Sequence, residues 1–200
     1  MKVGLIFECG PDGADKQVCE HLAERVDNQI ELNSITLDNK PGLIEYCGRA
    51  ALELLNDGCQ RVVISWDLYP PWREKNEPPC FHKDRHAILH SLAEAGVTSP
   101  DVYLVCITQE LEAWLLSDGR AISYVLSKAH RKVKVGDEKA PDSVTNPKTR
   151  MTKLFQQRGG MIYLDRIHAV QIVRALPDLK RIRRSPSLAR FVLKTTGVNL

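Results

Sequence analysis

Apolar residues form short, nearly continuous runs at residues 3–7, 61–66 and 101–108, and Ile30, Leu32, Ile35 and Leu37 mark a further apolar segment at residues 30–37. Runs of this length predict β-strands, and their near-continuous apolar character is typical of strands that are buried on both faces of a sheet. The sequence between the runs has a different period. Ala14, Val18, Leu22 and Val26 recur every fourth position, which predicts a helix over residues 14–26.

Two further helices are predicted between the later strands. Pro41 opens one whose apolar positions continue until Gly58 ends it, and the other covers residues 82–95 before Gly96. Strands that alternate with helices at this interval indicate right-handed βαβ units. The predicted fold class is therefore α/β, with a mostly parallel four-stranded sheet flanked by helices.

The C-terminal part of the chain lacks strand patterns and is predicted to be helical. Helices are expected at residues 111–116, 122–130, 148–157, 165–176 and 187–195, with a polar loop at 132–146. Ser185 precedes the last helix as its predicted cap. We treat residues 1–200 as one domain, in which residues 1–118 form the α/β sheet core and residues 119–200 a helical, basic extension.

The composition is that of an ordinary globular domain, with 43% hydrophobic and 26% charged residues among 200. The N-terminus lacks a signal-peptide layout, and no apolar stretch approaches the roughly 20 residues that cross a bilayer. We expect a soluble cytoplasmic protein without a membrane partner. Six cysteines are scattered without a CxxC pair, so disulfides are not expected.

Charge is unevenly distributed along the chain. Residues 101–200 hold 18 Lys and Arg against 9 Asp and Glu, whereas residues 1–100 hold 10 against 16. A basic half beside an acidic half suits a protein that holds a polyanion in one part and acts on it in the other. The alternative is a solvated surface whose charge happens to be uneven.

Acidic residues stand at the ends of three predicted strands. Glu8 follows the first, Asp67 the third, and Glu110 and Glu112 the fourth. The carboxyl ends of parallel strands share one edge of a sheet, so these acids are expected to meet there around a divalent metal ion. A metal ion held by carboxylates can neutralise the charge that develops on phosphate oxygens and lower the pKa of a bound water.

Several segments, taken in order, resemble an uncharacterised bacterial family of Toprim-like proteins related to nucleases of the overcoming-lysogenization-defect type. The segments that carry the resemblance are residues 5–8 with Gly10-Pro11, residues 62–67, 111–118 and 146–148, and Ser185-Pro186-Ser187-Leu188. The resemblance implies a Toprim-like fold and a nuclease site in which Glu8, Asp67 and Glu112 bind Mg²⁺ or Mn²⁺. It also implies a separately encoded ATPase partner and a role in phage defence.

The sequence departs from the Toprim pattern at two positions. Tyr69 stands where the pattern has a second aspartate after the third strand, and Cys9 stands where it has a glycine. One fewer carboxylate weakens the site for a hard cation or reduces two ions to one. Glu74, Glu77 and Asp84 are the candidates to supply the missing oxygen.

The sequence leaves a different alternative to a functional role open for each of these acids. Glu8 is a candidate metal ligand or general base, Asp67 the primary ligand and Glu112 a second ligand. A structural salt bridge to Lys or Arg is the alternative for Glu8 and Asp67, since an acid that ends a buried strand needs a partner. Asp15 is more simply a helix-dipole acid than a ligand. For Glu110, a solvated residue and a functional one are equally compatible with the sequence.

Two other groups of residues have competing interpretations. Cys80, His82, His86 and His90 have partial zinc-like spacing, but a polar helix face explains them better. Trp72 lies in a loop bracketed by Pro70-Pro71 and Pro78-Pro79, where it either stacks on a nucleobase or does not contact the substrate. Trp114 is most simply a core residue.

Three basic groups predict contacts with backbone phosphates. They are Lys128, Arg131, Lys132 and Lys134; Lys148, Arg150 and Lys153; and Lys180, Arg181, Arg183 and Arg184. Lys148, Arg150, Lys153, Arg181, Arg183 and Arg184 are the predicted nucleic-acid-binding residues. The predicted function is Mg²⁺-dependent hydrolysis of nucleic acid. The alternative is a nucleic-acid or partner-binding module without a full metal site, and a homodimer is left open.

Overall fold

The computed structural model describes residues 1–69, 78–127 and 131–200. Its centre is a parallel sheet in the spatial order β2-β1-β3-β4. The strands are β1 (Lys2–Phe7), β2 (Glu31–Thr36), β3 (Arg61–Asp67) and β4 (Val102–Ile107). The α/β fold class, the four parallel strands and the helical C-terminal portion are thus confirmed.

Helices cover both faces of the sheet. The helices α2 (Lys40–Asn56) and α3 (Phe81–Glu94) pack on one face, where they share a core with Ile6, Ile64 and Trp66. Within the described residues, the helices that cover the other face are α1 (Ala14–Val26), α4 (Leu111–Leu116), α5 (Gly119–Leu126), α6 (Pro147–Leu154), α7 (Asp165–Arg174) and α8 (Pro186–Thr196). The C-terminal helices therefore share one core with the sheet.

Two helix boundaries differ from the predicted ones, and the local sequence explains each difference. The helix predicted from residue 122 begins earlier, at Gly119, because the Asp118 side chain caps it by accepting a hydrogen bond from the Arg120 N–H at 2.9 Å. The helix predicted over residues 148–157 changes to a π-helical turn at Phe155–Gly159 and stops at Gly160, whose φ is 63°.

Two of the sequence motifs hold the C-terminal helices in place. The indole Nε1 of Trp114 donates to the Ser187 hydroxyl at 2.8 Å, and Ser185 caps α8 by accepting from the Leu188 N–H at 3.1 Å. Asp142 accepts from the Ser185 hydroxyl and from the Ser187 N–H. These contacts confirm Ser185 as a helix cap and Trp114 as a core residue.

The direction in which strands are added to the sheet reverses between β1 and β3, because β2 lies outside β1 and β4 lies outside β3. In open α/β sheets the crevice at the carboxyl ends of the strands on either side of this reversal is the usual ligand site. Glu8 and Asp67 follow or end these two central strands. In the part of the chain that the structure describes, no helix is long and apolar enough to cross a membrane.

Candidate metal and phosphate site at the carboxyl edge of the sheet

The acids at the strand ends lie side by side along one edge of the sheet, as predicted. Glu8 and Asp67 are in contact, because the Asp67 N–H donates to Glu8 Oε1 at 3.2 Å. Asp67 is paired in register with Ile107 at the end of β4, and the turn after β4 brings in Glu110 and Glu112.

A cavity of about 220 Å³ opens beside Asp67 on the face that carries α1. Acids from four parts of the chain line it, and so do two basic residues and the turn before α1. The lining residues are Cys9, Gly13, Ala14, Asp15, Asp67, Glu110, Leu111, Glu112, Lys148, Asp165 and Arg166. Two of the three predicted ligands, Asp67 and Glu112, thus share one cavity, while Glu8 lies next to Asp67 and is not among the lining residues.

Two carboxylate oxygens at the centre of this site have no hydrogen-bond donor among the described residues. Glu8 Oε2 and Asp67 Oδ1 are these buried, unpartnered atoms. A buried carboxylate oxygen without a partner is costly, and buried charges are normally paired or bind a metal. These two oxygens are therefore the strongest structural indication that the edge is built for a cation.

The protonation of the acids supports the same interpretation. Burial raises the pKa of Glu8 to about 8, although the positive charge of Lys40 opposes the shift. Burial raises the pKa of Asp67 well above its ordinary value, and the negative charges of Asp15 and Glu8 add to the effect. Near neutral pH and without a cation, this edge therefore holds protons.

Asp15 lies within this network and is more than a surface helix-dipole acid. It lines the cavity, and burial raises its pKa to about 6 against the opposing charge of Lys148. Glu110 also lines the cavity, and its carboxylate accepts a hydrogen bond from the Lys148 backbone N–H at 3.1 Å. Of the two interpretations left open for Glu110, the structure favours a residue of the site over a solvated one.

Glu112 is held differently from Glu8 and Asp67. Its side chain is only 3% exposed, and Oε1 accepts a hydrogen bond from the Tyr163 hydroxyl at 3.2 Å. Burial raises its pKa to about 7, while the charge of Lys148 lowers it. Tyr163 is itself fixed by an edge contact with Phe155 and by stacking with His168. Glu112 is therefore oriented by a rigid aromatic cluster.

A second group of charges lies on the α2 and α3 side of Glu8. Lys40 is 7% exposed and donates from its ammonium to the Leu68 carbonyl at 3.0 Å. Asp84 is 6% exposed and accepts from the Trp66 indole at 3.3 Å. Asp84 also raises the pKa of Glu8. Of the three candidates for the missing oxygen, Asp84 lies near the site, and Glu74 and Glu77 lie outside the described residues.

Across residues 1–69, 78–127 and 131–200, no three His, Cys, Asp or Glu side chains form a ready-made metal cage. Mg²⁺ does not require one, because it keeps several waters and is usually held by one or two carboxylates plus substrate phosphates. Two unpartnered oxygens on adjacent strands match that requirement. The donor set therefore fits Mg²⁺ or Mn²⁺ better than an ion that demands full protein coordination.

Four of the six predicted nucleic-acid-binding residues are paired with carboxylates. Lys148 binds Asp165 at 2.5 Å and Arg150 binds Glu138 at 2.7 Å. Lys148 is the only one of these four that lines the cavity. Its ammonium is thus held beside the acids, where a phosphate group can reach it.

The remaining predicted phosphate contacts differ in their surroundings. Arg181 and Arg184 both pair with Asp137, at 2.6 and 3.3 Å, so a carboxylate already balances their charges. Lys153 and Arg183 are exposed. Among the described residues, these two are the members of the set that have no carboxylate partner.

The alternative sites proposed from sequence are less well supported. His82, His86 and His90 are exposed along α3, and His90 pairs with Glu94 at 3.3 Å, as expected of a polar helix face. Trp72 and Lys128 lie outside the described residues. All six cysteines are free thiols.

Sequence reasoning missed Lys40, Tyr163, Asp165 and Arg166. Lys40 carried a detectable signal, because a lysine at the first position of a helix opposes the helix dipole. The other three come from the turn before α7 and the start of that helix, far from the sheet in sequence. The packing of α7 against α1 and α4 brings Asp165 and Arg166 to the cavity and Tyr163 to Glu112.

The site can be compared with known proteins only at the level of a family. No curated protein and no solved structure gives a significant match to the chain. Residues 12–194 match the family described as "Domain of unknown function (DUF4276)". The match covers β2, β3 and β4, Asp67, Glu112 and most of the C-terminal helices, whereas β1, Glu8 and Cys9 lie before it. The chain therefore belongs to the DUF4276 family.

Proposed function

We propose that this protein is a metal-dependent nuclease that hydrolyses phosphodiester bonds in nucleic acid at the carboxyl edge of its sheet. The observation that carries the proposal is the pair of buried, unpartnered oxygens, Glu8 Oε2 and Asp67 Oδ1, on the two central strands. A bound Mg²⁺ or Mn²⁺ would supply Lewis-acid stabilisation of the charge that develops on the phosphate oxygens.

Side chains of the protein have distinct roles in the proposed site. Glu8 and Asp67 would hold the cation, and Glu112, fixed by Tyr163, presents a third carboxyl group in the cavity that Asp67 also lines. Lys148 and Arg166 line the same cavity and provide positive charge for a phosphate group. Asp165 holds the Lys148 ammonium in place through their ion pair.

The resemblance to Toprim-like nucleases is consistent with this division of roles. Its three motif acids, Glu8, Asp67 and Glu112, all lie at or beside the cavity, which Asp15, Glu110 and Asp165 also line. We extend the proposal to a role in phage defence beside a separately encoded ATPase, which the same resemblance implies. The exposed charges of Lys153 and Arg183 are the proposed outer contacts to the nucleic acid.

The test is metal-dependent cleavage of plasmid DNA, single-stranded DNA and RNA by the purified protein with Mg²⁺ or Mn²⁺. Asp67→Asn keeps the shape of the side chain and removes its charge, so cleavage should fall by at least about 100-fold. Asp101→Asn is the matched control, because Asp101 is exposed at the opposite end of the sheet, just before β4 begins. Cleavage that survives Asp67→Asn would refute the proposal.

A second candidate function is a nucleic-acid-binding module without metal chemistry. Tyr69 favours it, because this half-exposed residue occupies the place of a second aspartate. In that case the protein binds labelled DNA or RNA in a fluorescence anisotropy titration, but Mg²⁺ and Mn²⁺ neither change the affinity nor induce cleavage. Binding that strengthens with Mn²⁺ in the unsubstituted protein, and not in Asp67→Asn, would exclude this candidate.

A further inference from the structure

Lys40 is a buried cation beside the acidic edge, and its location is costly. Its side chain is 7% exposed, and it is the first residue of α2. Lysine is almost never fully buried unless it is paired, and the positive end of a helix dipole disfavours a cation at this position. Compensating negative charge is therefore needed nearby.

The main chain fixes the position of Lys40. The turn before α2 is tied to the end of β1 and the turn after it by two hydrogen bonds, from the Leu37 N–H to the Phe7 carbonyl at 2.9 Å and from the Asp38 N–H to the Cys9 carbonyl at 3.1 Å. Asp38 adopts the left-handed conformation, with φ 63°. The start of α2 is thus held beside the segment that carries Glu8.

Burial lowers the pKa of Lys40, and the negative charges of Glu8, Asp84 and Asp67 oppose this shift, with Glu8 the strongest of the three. Two of them carry the unpartnered oxygens of the candidate metal site. On the other side of Asp67, the cavity contains four further acids and the cations Lys148 and Arg166. Lys40 therefore lies on the α2 and α3 side of Glu8 and Asp67, whereas the cavity lies on the α1 side.

We propose that the Lys40 ammonium takes the place of a second divalent ion, so that this site binds a single Mg²⁺ or Mn²⁺. The inference rests on the proposed function. Many nucleases use two metal ions about 4 Å apart to neutralise the charge of the reaction. Here a fixed lysine provides part of that charge, and it repels a second ion from Glu8, Asp67 and Asp84.

The experiment counts bound Mn²⁺ at pH 8 by isothermal titration calorimetry and by the electron paramagnetic resonance signal of free Mn²⁺. The unsubstituted protein should bind one ion per chain. Lys40→Met, which keeps the length of the side chain and removes the charge, should bind a second ion or bind the first at least about tenfold more tightly. Lys40→Arg should still bind one ion, with nearly unchanged affinity.

The outcomes separate this inference from the proposed function. Absence of any Mn²⁺ binding by the unsubstituted protein would refute the metal site itself. Two ions in the unsubstituted protein would refute only the role of Lys40, and this result does not depend on whether Lys40→Met folds. If Lys40 serves only the fold, Lys40→Met lowers the melting temperature with and without Mn²⁺ and leaves one ion bound at the original affinity, which also overturns the inference.

Discussion

Replacing Glu8 by glutamine should make the metal-free protein more stable while it removes nuclease activity. The amide oxygen of the introduced glutamine can still accept the hydrogen bond from the Asp67 N–H that Glu8 Oε1 accepts at 3.2 Å. What the substitution removes is the cost of holding a buried carboxylate beside Asp67. The two effects have opposite signs because the same charge disfavours the metal-free fold and serves the bound cation.

The magnitude follows from the pKa of Glu8, which burial raises from 4.5 to about 8. The folded state binds a proton here more tightly than the unfolded state, so stability falls as pH rises from about 4.5 to about 8 and is level above that. At about 1.4 kcal/mol per pKa unit, the full effect is on the order of 5 kcal/mol. We expect Glu8→Gln to gain about 2–4 kcal/mol at pH 8 and almost nothing at pH 4.5.

The assay is urea unfolding followed by circular dichroism, in EDTA, at pH 4.5, 6 and 8. Glu53→Gln is the matched control, because Glu53 is an exposed acid on α2 and its substitution should change the free energy of unfolding by less than about 0.5 kcal/mol at each pH. The reasoning is refuted if Glu8→Gln is no more stable than the unsubstituted protein at pH 8, or if its gain is the same at all three values.

Three further predictions concern the cation, the packing and the nucleic acid. Since the acids hold protons at neutral pH, Mn²⁺ should release protons on binding, seen as a buffer-dependent calorimetric enthalpy, and its affinity should fall from pH 8 to pH 5. Gly48→Ala should destabilise the fold by about 3 kcal/mol or more in urea unfolding, because its Cβ would lie 2.1 Å from the Ser91 carbonyl of α3. Arg183→Ala should weaken nucleic-acid binding and reduce its salt slope by about 1 without loss of stability, whereas Arg181→Ala should lower the melting temperature because it leaves Asp137 with one partner fewer.

The sheet could be predicted from sequence because its signals are local. Buried parallel strands are continuous apolar runs, and the helix over Ala14–Val26 follows from a spacing of four. The edge that collects Glu8, Asp67 and Glu112 also follows from topology, since parallel strands end on one side. The strand order, which makes Glu8 and Asp67 direct neighbours, depends on long-range strand pairing, so no single segment of the sequence predicts it.

The parts of the site that escaped prediction depend on tertiary packing. Tyr163 and Asp165 are separated from Glu112 by about fifty residues, and an irregular segment and a π-helical turn lie between them. The pairing of Arg181 with Asp137 likewise spans 44 residues. A basic cluster in the sequence can therefore be mistaken for a phosphate-binding surface when, in the folded protein, its side chains form ion pairs with carboxylates.

The arrangement of charge along the sheet edge argues for function over simple stability. A protein selected only for stability gains from replacing a buried carboxylate cluster by packed apolar side chains, because removing charges from water is costly. This fold instead keeps Glu8, Asp67 and Glu112 together, leaves an oxygen of each central acid without a donor among the described residues, and buries Lys40 next to them. Each of these features is unfavourable in the absence of a cation. Together they are expected where the missing stabilisation comes from a bound ion and a phosphate group.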